Sequence, residues 1–128
     1  MAQARQDTVV VSGQSVSTVA LTALTGIGFT LLTGSGWLRV RSWGNISGHA
    51  VNAALPQIAL SYDGLICPVY NAGWAAGSVI ANGYWDFRVE SLVRLGAGNH
   101  AFGVAGYSAV GVTITITALH LSVEELGF

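Results

Sequence analysis

Apolar and polar residues alternate along several short runs of this chain, and glycine-rich breaks separate the runs. The clearest is YWDFRVESL, which puts Trp85, Phe87 and Val89 on one face and Asp86, Arg88 and Glu90 on the other. A period of two with one wet face is that of an antiparallel strand lying on a core. GWLRVRSW sets Leu38 and Val40 opposite Arg39 and Arg41, and QIALSY offers Ile58, Leu60 and Tyr62. Turn signals stand between the runs: Thr33-Gly34-Ser35-Gly36, Asp63-Gly64, Asn82-Gly83 and Gly96-Ala97-Gly98-Asn99. No stretch carries an apolar stripe of helical period. The alternation predicts about eight to ten short strands, near 8–12, 16–24, 27–33, 37–43, 57–62, 65–70, 84–93, 100–104 and 110–123. Such a series builds a β-sandwich, a jelly roll or a barrel. Asn71–Gly83 is expected as the longest surface loop.

The last run poses a problem of phase. Val110, Val112, Ile114 and Ile116 occupy even positions, whereas Leu119, Leu121 and Val123 occupy odd ones. Because a strand points successive side chains to opposite faces, the oily side turns over within one run. Either a bulge at Thr117–Ala118 re-aims the strand, or both of its faces are buried.

Composition adds a second oddity. The chain of 128 residues is 52% hydrophobic and only 9% charged, against roughly a quarter charged in ordinary soluble domains. Lysine is absent; the basic residues are Arg5, Arg39, Arg41, Arg88 and Arg94. A chain so poor in charge is expected to hide surface against copies of itself or a partner. The net charge of −1 removes the electrostatic case for nucleic acid, which needs a basic stripe. Val19–Leu32 is apolar, but its threonines and glycines and its length argue against a membrane span; two strands are expected there, and no membrane partner.

Candidate chemistry is sparse. The single cysteine, Cys67, excludes an internal disulfide and reads as a buried thiol. His49, His100 and His120 show no ligand spacing, and Gly26-Ile27-Gly28 and Gly34-Ser35-Gly36 lack the rest of a phosphate-binding loop. No cofactor, no metal and no catalytic activity are expected. Arg39, Arg41, Arg88 and Arg94 are expected to face water, paired across strands with Asp86 and Glu90. One suggestive set remains. Tyr70, Trp74 and Tyr84 flank the long loop beside asparagines, and exposed rings of this kind can stack on sugars.

The C-terminal third, YWDFRVESLVRLGAGNHAFGVAG followed by VGVTITITALHLSVEEL, resembles jelly-roll domains of bacteriophage virions. The shared elements are a G-x-H-x-F turn and strand (Gly98, His100, Phe102) and a final strand carrying Leu119, Leu121, Val123, Glu124 and Leu126. The likeness covers about residues 84–126; earlier strands share only the rhythm of the fold. Similar folds occur in trimeric fibre tips, head decoration proteins and the complement C1q and tumour necrosis factor group. The resemblance implies an all-β antiparallel sandwich of jelly-roll type assembled as a homotrimer in the virion. On that basis residues 13–128 form one sandwich domain, and Val112, Ile114, Ile116, Leu119, Leu121 and Val123 line its core or the trimer interface. Residues 1–12 form an arm, with Thr8, Val9, Val10 and Val11 contacting a neighbouring subunit or the major capsid protein. The implied role is a capsid decoration (cement) protein. The alternative is a fibre or spike tip that binds a host surface glycan through Tyr70, Trp74 and Tyr84.

Overall fold

The computed structural model describes residues 5–16, 20–48, 51–69, 71–108 and 112–126. Among the described residues nine strands follow one another: β1 (Arg5–Val16), β2 (Thr22–Thr33), β3 (Leu38–Ser47), β4 (Gln57–Tyr62), β5 (Leu65–Ile66), β6 (Trp74–Ala76), β7 (Tyr84–Val93), β8 (Gly98–Tyr107) and β9 (Ile114–Glu125). They form a four-stranded sheet ordered β1-β9-β3-β7 and a second ordered β2-β8-β4-β5, with β6 also on β4. Every pairing between these strands is antiparallel. The pairings nest: first strand with last, second with second-last, third with β7, and β4 with its own hairpin. That connectivity is the jelly roll of two packed sheets.

The core lies between the sheets. Leu38, Val40 and Ile46 from β3, Phe87 and Val89 from β7, and Ile58 and Leu60 from β4 are all buried. Arg88, between Phe87 and Val89, is exposed, so β7 faces as its alternation predicts. Fully burying one such aliphatic side chain is worth about 1.5–3 kcal/mol, which makes this interior the main source of stability.

The phase change in β9 is resolved by a bulge. Along β3, Asn45 pairs with Ala118, and the next residue, Ile46, pairs with Ile116, so Thr117 is the extra residue. The shift re-aims the strand, and Ile114, Ile116, Leu119, Leu121 and Val123 are all 0% exposed in one core. The alternative of two buried faces falls: the subunit covers all five by itself, without a second copy. Val112, just before the strand, is half-buried against the same core. Gly44 sits beside the bulge, where a Cβ would overlap the Ala118 carbonyl oxygen and come 2.9 Å from the Leu119 Cα. Only glycine lets the two backbones approach so closely.

Three boundaries differ from expectation. Thr8, Val9, Val10 and Val11 do not form a separate arm in this structure. They pair with Leu121, His120, Leu119 and Ala118 as part of β1. The β-branched run satisfies its ladder on the neighbouring strand of its own sheet, so residues 5–12 belong to the sandwich. The two strands expected across 16–33 are replaced by the end of β1 and one strand, β2. Its ladder to β8 is interrupted between Ala23 and Gly28, and Gly26 takes a positive φ of 76°. Finally, the expected loop 71–83 contains β6, which pairs Trp74 with Ala59.

Candidate functional site

The outer face of the four-stranded sheet concentrates the polar and aromatic chemistry of the chain. Alternation sends Arg39, Arg41, Trp43 and Asn45 outward from β3. Their partners on β9 are Glu124, Ser122, His120 and Ala118, and on β7 Leu92, Glu90, Arg88 and Asp86. Each row across the sheet therefore brings three side chains within reach of one another.

The rows differ in chemistry. In the first, Arg39 Nη2 donates to Glu124 Oε1 at 3.0 Å. In the next, the Arg41 guanidinium lies 5.6 Å from the centre of the Trp43 ring, within range of a cation–π attraction. In the third, the Trp43 indole and the His120 imidazole stack with centroids 5.0 Å apart and planes 6° from parallel. In the fourth, Asn45 Nδ2 donates to Asp86 Oδ1 at 2.7 Å, and Thr117 Oγ1 donates to Asn45 Oδ1 at 2.6 Å. The bulge thus feeds a polar chain, Thr117 to Asn45 to Asp86, which holds the carboxylate in place. Between the third and fourth rows lies an open depression of about 420 Å³, lined by Trp43, Asn45, Asp86, Arg88, Ala118 and His120 over the backbone of Gly44. Nearby, Arg39 Nε, Arg41 Nε and Ser122 Oγ are buried without a hydrogen-bond partner among the described residues.

The expected ion pairing across Asp86 and Glu90 is not what forms. Arg39 chooses Glu124, Asp86 is taken by Asn45, and Arg94 Nε donates to the Ser35 carbonyl at 2.8 Å. The reason is register: β9 lies beside β3 and supplies a carboxylate that the neighbourhood in sequence does not reveal.

A second polar cluster closes the opposite end of the sandwich. His100 Nδ1 lies 2.7 Å from Asp63 Oδ2, and its Nε2 lies 2.9 Å from the Gly96 carbonyl. Both ring nitrogens face acceptors, so the geometry is that of an imidazolium. The Asp63 carboxylate, and then the Gly96 carbonyl, raise the His100 pKa above its ordinary value. The Ala101 N–H, and then His100, hold Asp63 below the usual carboxylate range. Cys67 is buried, and its Sγ lies 2.8 Å from the Tyr62 hydroxyl, which is 3.2 Å from Ser91 Oγ. Burial pushes both the thiol and the phenol up.

The aromatic set foreseen for sugars is divided. Trp74 lies in the second sheet, half-buried against the core, with Nε1 donating to Gln57 Oε1 at 3.2 Å. Tyr84 begins β7 on the first sheet and is 71% exposed, on the same side of the strand as Asp86 and Arg88. Tyr70 and His49 lie outside the described residues. The Trp43–His120 stack was missed by sequence reasoning. Its only trace is the alternating series Arg39, Arg41, Trp43, Asn45, whose partner series on β9 is visible once the register is known.

A scan against protein-family models finds no match, and a search of curated proteins finds none either. Among solved structures, the chain aligns over 95% of its length with a chain from the structure of infectious bursal disease virus, Gx strain, at 8% identity and a TM-score of 0.40. It aligns over 93% of its length with the enzymatically active domain of tailspike protein 4 of bacteriophage CBA120, at 13% identity and a TM-score of 0.30. The chain spans 38% and 19% of those two chains. Neither likeness assigns a family or an activity.

Proposed function

We propose that this protein is a structural component of a bacteriophage virion, a homotrimeric decoration protein that cements the head. The observation that carries the reading is a group of exposed apolar side chains at one end of the sandwich, on a chain with only 9% charged residues. At one end of the sandwich, residues 51–56 and 77–83 are tied together by the Ala54–Val79 bridge, and Gly48 N donates to the Gly83 carbonyl at 2.9 Å. These loops and the start of β7 expose Leu55 (63%), Ile80 (74%) and Tyr84 (71%). A leucine, an isoleucine and a tyrosine exposed at one end of a charge-poor chain mark a face suited to being covered. The resemblance over the C-terminal third supports a virion as the place where that covering occurs, with the major capsid protein or another virion protein as partner.

Light scattering on the purified protein should give three times the chain mass, and the protein should saturate undecorated heads and raise their resistance to heat. Ile80→Asp should weaken that occupancy while leaving the monomer fold intact. A monomer that ignores heads would overturn the reading. Binding to host cells instead would favour a glycan-binding fibre or spike tip.

A further inference from the structure

The geometry points to a saccharide-binding site in the depression between Trp43 and Asp86, on the outer face of the four-stranded sheet. This inference is independent of where on a particle the protein sits.

The first argument is shape. The space of about 420 Å³ falls in the range of small-ligand sites, roughly 300–1,000 Å³. It exists because Ala118 is the small residue in a row whose neighbours are Asn45 and Asp86. The second argument is the wall. The stacked Trp43 and His120 rings present apolar surface beside a mostly apolar floor, which suits the C–H face of a pyranose ring.

The third argument is the polar rim. Asp86 offers acceptors and Arg88 offers donors, one charge of each sign. A balanced rim favours a neutral ligand that both donates and accepts, as hydroxyl groups do, over a phosphate or a carboxylate. The last argument is preorganisation. Asp86 Oδ1 is fixed by Asn45, which is itself fixed by Thr117 from the bulge. Oδ2 is left for a ligand hydroxyl, and little side-chain freedom remains to be lost on binding. Bulges characteristically re-aim side chains beside functional sites. Asn45 and Thr117 would be positioning residues, whereas Asp86, Arg88 and Trp43 would touch the sugar.

The test uses the full chain and a panel of neutral sugars: glucose, galactose, N-acetylglucosamine, maltose and lactose. Saturation-transfer NMR and tryptophan fluorescence would follow the titration. At least one sugar should bind saturably, with a dissociation constant on the order of 1 mM. Ala118→Leu, which fills the depression, and Asp86→Ala should each weaken binding by about tenfold or more. Arg94→Ala, on the far turn, should bind as the unaltered protein does. Circular dichroism confirms that each variant is folded. Absence of saturation by every sugar at about 50 mM, or undiminished binding by both variants, overturns the site. Binding restricted to acidic sugars overturns the neutral ligand. A change of oligomeric state in Ala118→Leu without any sugar binding shows instead that a second copy of the chain occupies the face, and also overturns the proposal.

Discussion

Thr117 Oγ1 lies 2.6 Å from Asn45 Oδ1 and 3.1 Å from the Asn45 carbonyl, so the extra residue of the β9 bulge is bonded to the strand it displaces. This contact locks the register that turns Leu119, Leu121 and Val123 onto the core side. Thr117→Val, which keeps the shape and removes the hydroxyl, should cost about 1 kcal/mol. Gly44→Ala drives a methyl into the Ala118 carbonyl and should cost about 1–3 kcal/mol or more. Inserting an alanine after Ala118 should do far worse, because it turns Leu119, Leu121 and Val123 to the outer face. Urea denaturation of the three variants measures the order. Equal stability of the insertion and the parent would refute this facing of the strand.

Phe87 and Arg88 are neighbours with opposite fates. Phe87 is 3% exposed and packs 5.9 Å from Trp85, ring centre to ring centre. Phe87→Ala should therefore cost about 3–5 kcal/mol. Arg88→Ala should change stability by less than about 0.5 kcal/mol. Thermal melts of the pair would expose an error in the facing of β7 if the two midpoints fell together.

The His100–Asp63 pair predicts a pH response. The His100 pKa is raised in the folded state, so its contribution is complete below the ordinary value of 6.5 and disappears as pH rises through the folded value. The Asp63 pKa is lowered, so its contribution is present above 3.8 and disappears as pH falls through the folded value. The latch is strongest between those limits. The melting temperature should fall as pH rises above about 6.5, and His100→Gln should flatten that slope. An unchanged slope in the variant would remove His100 as its source. Asp63 is largely open to water, so solvent screening keeps the effect small.

Removal of residues 2–12 tests the placement of β1. These residues supply most of the β1 ladder to β9, so the truncated chain should lose its cooperative melt. A folded truncated protein that no longer binds heads would instead restore the arm.

Much of this architecture can be read from alternation alone. Residues 38–43, 57–62 and 84–93 carry their facing in their own letters, and the change of phase marked Thr117–Ala118 as the place for a bulge. What alternation lacks is partnership. Val9 beside His120, or Trp43 beside His120, depends on which strands lie together, and residues far apart in sequence leave no local trace of that choice. The Trp43–His120 stack and the Arg39–Glu124 pair were hidden for the same reason. The expected break between residues 24 and 27 is an irregularity inside β2, where Gly26 takes a positive φ.

The pairing of β1 with β9 has a consequence for how the protein is made. At about 5–20 residues per second of synthesis, the first strand waits several seconds with its hydrogen-bonding edge unfilled until Ile114–Glu125 leaves the ribosome. The pairings of β3 with β7, β2 with β8, and β4 with β5, β6 and β8 can all form earlier. During that interval the valine-rich first strand is the segment of the nascent chain most exposed to pairing with a second chain on the same messenger. Slow elongation would therefore be expected to lower the yield of soluble protein, and a holdase chaperone to restore it.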